Sequence, residues 1–206
     1  MNGEGGAQAC AGWFGKIPAL GDFVTRALPA SFVTPWDAWL SGELAQARQG
    51  LGEGWDETYA SAPTLCFSLT PGALDEKAWH GILMPSFDRV GRQFPLTLAL
   101  SGARELAAGF GRAGWAQLCA LARQARESED SADDLDEALR LFIGQHFNFP
   151  ASQDREPWRV GSALATVPEG LSLWWSQPAV EDREAVPILF YGLPRGEWLR
   201  ELLSLR

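Results

Sequence analysis

Positive charge is what this sequence has least of. Its 17 Lys and Arg residues are outnumbered by 26 Asp and Glu residues, which leaves the 206-residue chain with a formal net charge of −9. Lys16 and Lys77 are the only lysines. A nucleic-acid-binding protein needs a basic stripe along which phosphates can lie. The composition therefore argues against nucleic acid as a partner, and equally against docking on an anionic membrane surface.

Long apolar runs are also missing. No segment reaches the roughly 20 consecutive apolar residues of a membrane-spanning helix, so we expect no membrane insertion. The opening residues, MNGEGGAQACA, lack the basic start and the apolar stretch of a signal peptide. We expect residues 1–11 to form a disordered N-terminal tail and residues 12–206 to form a single domain, because no long linker divides the chain.

Cysteine and histidine are scarce. Cys10, Cys66 and Cys119 are odd in number and widely spaced, which favours a reducing compartment over a disulfide framework and therefore predicts a cytoplasmic location. His80 and His146 are the only histidines, and no two cysteines have the spacing of metal ligands. Glycine-rich phosphate-binding loops are absent as well. We expect neither a metal nor a cofactor.

Three closely spaced segments predict an antiparallel sheet. Leu65, Phe67 and Leu69 alternate with small or polar residues, which is the two-residue period of a half-buried strand. Apolar runs at 79–84 and 96–100 follow after short turns. Strands joined in this way pair as a meander, because parallel strands need long crossovers. Further strands are expected at 13–16, 158–164, 171–176 and 186–192.

Helices are expected between and after these strands. Thr34 is placed as an N-cap with Pro35 in the first helical position, and Trp36 and Trp39 then share an apolar face. Two amphipathic helices are predicted from residue 114 and from Ser131, which precedes an acidic first turn. A short helix closes the chain at 195–205. The fold class is therefore α+β, a single domain with an antiparallel β-sheet flanked by helices.

The stretch MPSFDRVGRQFPLTLAL, residues 84–100, is the richest in chemistry. One interpretation is an anion site, in which Arg89 and Arg92 bind a phosphate, a phosphopeptide or a partner carboxylate. The other is an internal salt bridge in which Asp88 orients one arginine and caps a turn. We favour the salt bridge, because such local pairs are common where strands connect.

A hydrolase is the weakest alternative. Ser86, His80 and Asp88 supply the three residue types of a catalytic triad within a short stretch. The segment MPSFD, however, lacks both glycines of the sharp turn that presents a nucleophilic serine. We therefore expect no enzymatic activity from these residues.

The order of several motifs resembles that of a known family. GWFGKIPALGDFVTRALP, FVTPWDAWL, GWDETYASAPTLCFSLTPG, WHGILMPSFDRVGRQFPLTLAL and SLWW follow one another as in the TagF/ImpM family, type VI secretion-associated proteins of Gram-negative bacteria. The resemblance runs from about Trp13 to Leu205 and is densest up to Leu100. It implies a compact, longin-like α+β fold for residues 12–206.

The resemblance also implies a function. Family members are similar to post-translational repressors that hold back assembly of the secretion apparatus, through contact with a cytoplasmic component such as its forkhead-associated scaffold protein. The family supplies no catalytic residues. Positions that match it and carry exposed-type chemistry are the candidate contacts for a partner or an anion: Lys16, Asp22, Asp88, Arg89 and Arg92. Among the ten tryptophans, Trp13 and Trp174 are candidate surface anchors. The oligomeric state stays open.

Overall fold

An antiparallel sheet forms the centre of the molecule. The computed structural model describes residues 10–128, 131–147, 159–176 and 185–203. Within these ranges seven strands pair in the order β2-β1-β5-β4-β3-β6-β7, and every neighbouring pair is antiparallel. The strands are β1 (Ala11–Gly15), β2 (Val24–Arg26), β3 (Leu65–Leu69), β4 (Trp79–Met84), β5 (Leu96–Ser101), β6 (Leu171–Ser176) and β7 (Ile188–Tyr191). The meander predicted from the spacing is confirmed as β3-β4-β5.

Helices cover both faces of this sheet. They are α1 (Ala30–Leu51), α2 (Trp55–Ser61), α3 (Arg104–Glu127), α4 (Ala132–Phe147), α5 (Arg159–Thr166) and α6 (Trp198–Leu203). Side chains of α1, α2 and α6 form one core with one sheet face, and side chains of α3, α4 and α5 form a second core with the other. The expected α+β domain with a helix-flanked antiparallel sheet is confirmed. None of the helices in the described ranges is long and apolar enough to cross a membrane.

The expected tail lies mostly outside the described residues. Residues 1–9 are not among them, whereas β1 already begins at Ala11. The backbone N–H of Cys10 donates to the Ser101 hydroxyl at 2.9 Å, so the chain is bound to β5 from this residue onward.

The central strands are more deeply buried than their alternating pattern predicted. Leu65, Phe67 and Leu69 face the core under α1, as expected, but Cys66 and Ser68 are also buried. The prediction of a half-buried strand was wrong because α3 covers the second face. Cys66 Sγ lies 3.8 Å from Cys119 Sγ on α3, and both thiols are buried in the core.

Helix α1 begins five residues earlier than its sequence signals predicted. Pro29, with an extended backbone, precedes its first residue, and its carbonyl accepts the N–H groups of Phe32 and Val33. Pro35 is therefore inside the helix and Thr34 is not its N-cap. The burial of Phe32 explains the difference, because it extends the apolar stripe of Trp36 by one turn toward the N-terminus.

The segment 159–166 is a helix and not the strand that was expected. Its buried residues Val160 and Leu164 are four apart, the spacing of one helix face, and both join the core that contains α3. Residue 158, where the predicted strand began, lies outside the described residues. By contrast, the start of α4 is confirmed: Ser131 and Asp134 exchange hydrogen bonds across its first turn.

Trp13 and Trp174 are core residues and not surface anchors. Both are fully buried. The indole N–H of Trp13 donates to Asp136 of α4 at 2.7 Å, and that of Trp174 donates to the Ser172 hydroxyl at 3.0 Å. The prediction failed because residues 11–15 and 171–176 are covered on both faces. Trp36, expected in the core, stacks on Trp174 with ring centroids 6.2 Å apart.

Close packing in the sheet predicts the effect of adding one methyl group. A Cβ at Gly81 of β4 would lie 2.0 Å from the carbonyl oxygen of Leu98 and 2.7 Å from the Phe67 ring. Since backbone must move to admit it, Gly81→Ala is expected to lower the free energy of unfolding by about 3 kcal/mol. The matched control is Gly42→Ala on the exposed side of α1, where a Cβ meets nothing within 4 Å, and which is expected to stabilise by about 0.5–1 kcal/mol. Urea unfolding measures both, and equal effects would contradict the packing argument.

Candidate functional site

The connection between β4 and β5 is a tight hairpin. Phe87 and Gln93 form an isolated bridge at its base. At its end the N–H of Gly91 donates to the Asp88 carbonyl at 2.8 Å, and the N–H of Asp88 donates to the Arg92 carbonyl at 3.1 Å. Gly91 has φ of +83°, a conformation that glycine adopts without strain. We call residues 87–93 the hairpin tip.

The carboxylate of Asp88 organises this tip. Its side chain is fully buried. One oxygen, Oδ1, accepts the backbone N–H groups of Val90 at 3.1 Å and Arg92 at 2.9 Å. The other, Oδ2, accepts Lys16 Nζ at 3.0 Å and Arg92 Nε at 2.6 Å. A single side chain therefore joins the end of β1 to both sides of the turn.

The protonation of Asp88 follows from these contacts. Desolvation by itself would raise the pKa of this carboxyl group. Hydrogen bonds from the backbone and side chain of Arg92, from Lys16 and from the Val90 backbone outweigh it and hold the pKa of Asp88 well below its ordinary value. Asp88 is therefore ionised at neutral pH and serves as the shared counter-charge of Lys16 and Arg92, which leaves the cluster with a net charge of +1.

Lys16, a candidate contact for a partner or an anion, is buried. Only 4% of the residue is exposed. Besides Asp88, its ammonium group lies 4.6 Å from the centroid of the Phe23 ring, a distance that suits a cation–π contact. Lys16 is therefore an internal partner of Asp88 and has little surface left for a partner protein.

The hairpin tip is docked on the segment that follows β1. Arg92 Nη2 donates to the Gly21 carbonyl at 2.6 Å, and the N–H of Arg89 donates to the Leu20 carbonyl at 3.0 Å. Asp22 is exposed, and its carboxylate accepts the N–H of Phe23 at 2.8 Å. The structure thus brings Lys16, Asp88 and Arg92 together in one cluster, while Asp22 and the Arg89 side chain lie exposed beside it.

Apolar side chains are exposed around this cluster. Val90 is 70% exposed, Phe23 47% and Phe87 42%. We define the hairpin surface as these three residues with Asp22 and Arg89. Sequence patterning missed its apolar members, because periodicity identifies residues that point inward along an element. The available signal was a pair of apolar residues that flank charged ones in a turn, as in Phe87-Asp88-Arg89-Val90.

The structure bears differently on the three alternatives from the sequence analysis, which are a salt bridge, an anion site and a hydrolase. The favoured salt bridge between Asp88 and an arginine is formed, with Arg92. The anion site that uses Arg89 and Arg92 stays a prediction: Arg92 shares Asp88 with Lys16, and its side chain is 58% exposed. His80 Nε2 faces the Gly102 carbonyl at 3.1 Å, so it donates, and Nδ1 accepts from the Ser68 hydroxyl at 2.9 Å. The Ser86 hydroxyl has no hydrogen-bond partner in the part of the chain that the structure describes.

The residues of the proposed triad therefore form no hydrogen-bonded chain: Ser86 is not bonded to His80, and Asp88 is bonded to Lys16 and Arg92. Within the same described ranges no group of three or more His, Cys, Asp or Glu side chains could hold a metal ion.

Comparison with known proteins identifies relatives of this chain. A family model described as the TagF N-terminal domain, type VI secretion system-associated, matches residues 12–141. The fold is similar to that in the crystal structure of PA0076 from Pseudomonas aeruginosa PAO1, with a TM-score of 0.72 and 30% sequence identity over 94% of this chain and 92% of that one. No curated protein sequence matches the chain. The family match includes the whole hairpin surface.

Replacing the buried carboxylate tests its role. Asp88→Asn leaves Lys16 buried without a counter-charge, so we expect Tm to fall by roughly 10 °C at neutral pH. Because the pKa of Asp88 is lowered in the folded state, its contribution is present above the unfolded-state pKa and is lost as pH falls through the folded-state pKa. The difference in Tm should therefore narrow below about pH 4. Thermal melting over this pH range measures it.

Asp22→Asn is the control for this substitution. Asp22 is exposed and an asparagine can still accept the N–H of Phe23, so its Tm should follow the wild type at every pH. A difference between Asp88→Asn and the wild type that stayed constant down to acid pH would show that ionisation of Asp88 contributes nothing.

Proposed function

Since this chain belongs to the TagF family of type VI secretion-associated proteins, we propose that it is a non-enzymatic regulator that represses assembly of the secretion apparatus. It acts after translation, by binding a cytoplasmic component of the apparatus. The forkhead-associated scaffold protein is the partner that the family resemblance suggests. In this role the protein works in the cytoplasm and requires no cofactor.

The hairpin surface is the observation that carries this proposal. Exposed Val90, Phe23 and Phe87 lie close to an exposed arginine, and apolar and Arg side chains are the residues that dominate binding energy at protein interfaces. The turn itself is held by the buried Asp88 cluster. A surface that is already rigid loses little conformational entropy when it binds.

The net charge of the chain does not by itself account for binding of the proposed partner protein. The chain carries a net charge of −9, so long-range attraction would favour a basic partner surface. Within the hairpin surface, however, Arg89 and Asp22 balance each other. Specificity must therefore come from short-range contacts made by the tip, with apolar burial as the main source of affinity.

A double substitution at the tip tests the proposal. Arg89 and Val90 are both exposed, so Arg89→Gln plus Val90→Gln should fold normally. We expect it to weaken binding to the purified forkhead-associated scaffold protein by about 30-fold, because it removes two anchoring contacts. Calorimetry measures the affinity, and secreted type VI substrate in cells should rise with the loss of repression.

The chain contains a matched control for this variant. Arg140 and Leu141 are also adjacent and exposed, on α4, so Arg140→Gln plus Leu141→Gln makes the same chemical change on another surface. The control should bind and repress as the wild type does. The proposal fails if the wild-type protein does not bind the scaffold protein, and the assignment of the surface fails if both variants bind equally.

A further inference from the structure

A cleft lies beside the hairpin, between α2 and the C-terminal end of α3. Its volume is about 680 Å³, and its lining includes Tyr59 and Ala60 of α2, Pro85 to Phe87 of the hairpin and Arg126 of α3. Phe87 belongs to both the cleft and the hairpin surface, so the two are continuous. This volume falls within the range of pockets that bind small molecules, so a single anchoring residue would occupy only part of it.

The walls of the cleft are held in place by hydrogen bonds, of which those of Tyr59 are buried. The Tyr59 hydroxyl donates to the Ser86 carbonyl at 2.9 Å and accepts the Ser86 N–H at 3.1 Å. Gln93 bridges α2 to the hairpin tip: its side-chain oxygen accepts the Trp55 indole N–H, and its amide nitrogen donates to Asp56 at 3.1 Å. The cleft is therefore formed before any ligand enters.

Two polar side chains of the cleft have unused bonding capacity. Ser86 is fully buried and its hydroxyl lacks a hydrogen-bond partner within the described residues, a state that costs free energy. The Arg126 guanidinium makes a long contact of 3.4 Å with the Pro85 carbonyl and pairs at 3.0 Å with Glu127. The Glu127 side chain is 58% exposed, so this pair is weak and easily exchanged.

We propose that this cleft receives an anchoring residue of the protein partner. This residue carries an aliphatic side chain and, next to it, a carboxylate group. The apolar part would pack on Ala60, Pro85 and Phe87. The carboxylate would replace Glu127 at Arg126, whose planar guanidinium suits two-point binding of a carboxylate. The inference rests on the proposed function, because it assigns the contact that the regulatory partner makes beside the hairpin tip.

The probe for this site is N-acetyl-L-leucine, with N-acetyl-L-leucinamide as its uncharged match. In a ¹H–¹⁵N NMR titration of the whole protein, the acid should shift the backbone signals of Ser86 and Arg126 and bind at least about tenfold more tightly than the amide, the effect of one charge-assisted contact. Arg126→Met should abolish this preference, whereas Arg140→Met on α4 should retain it.

A second variant tests the cleft while Arg126 and its contacts in the folded protein are kept. Ala60 is exposed on α2 and lines the cleft, so Ala60→Trp should obstruct the cleft on its α2 side and remove binding of the acid while Tm is unchanged. Equal binding of acid and amide to the wild type, or binding that persists in Ala60→Trp, would overturn the proposal. The titration contains no partner, so its result does not depend on the proposed function.

The partner measurement then distinguishes the two proposals. Ala60→Trp should weaken binding to the scaffold protein by at least about tenfold, as expected for the loss of a central anchor. If it binds as tightly as the wild type while the Arg89 and Val90 double variant does not, the cleft is not the anchor site, although the regulatory function stands.

Discussion

The buried carboxylate of Asp88 is the contact on which the shape of this surface depends. It is the shared counter-charge of Lys16 and Arg92 and accepts two backbone N–H groups of its own turn. A buried charge is tolerated only when partners of this kind compensate for lost hydration. Because the partners come from the end of β1 and from the hairpin, the ion cluster fixes the distance between the two segments. The exposed positions of Phe87 and Val90 follow from that geometry.

The sheet beneath the hairpin gives it a rigid base. Strands β3, β4 and β5 are fully buried, with one core on the α1 side and another on the α3 side. Trp36 shows how tightly the first core is connected: it stacks on Phe32 and Trp174, and its indole N–H donates to the Thr97 hydroxyl. Such packing leaves loops as the segments in which surface chemistry varies. Function in this protein is accordingly expected at the hairpin and not in the sheet.

Sequence patterns predicted the positions of helices and strands better than they predicted what packs against each of them. The bounds of β3 and β4 and the capping of α4 at Ser131 came directly from alternation and from helix-start chemistry. Errors arose where tertiary packing competed with a local signal. Pro35 favours a helix start, but burial of Phe32 extends α1 past it. The segment 159–166 is short and apolar enough to form either a strand or a helix. Its packing against α3 favours the helix.

The sequence by itself determined the α+β class, the meander and the family, because these depend on periodicity, turn spacing and motif order. It also favoured a salt bridge between Asp88 and one of the two nearby arginines, and the structure identifies that arginine as Arg92. Only the tertiary structure added Lys16 to that cluster, 72 residues away in the chain. It alone exposed Val90 and opened the cleft beside Arg126, because the burial of a loop side chain depends on which distant segments pack against it.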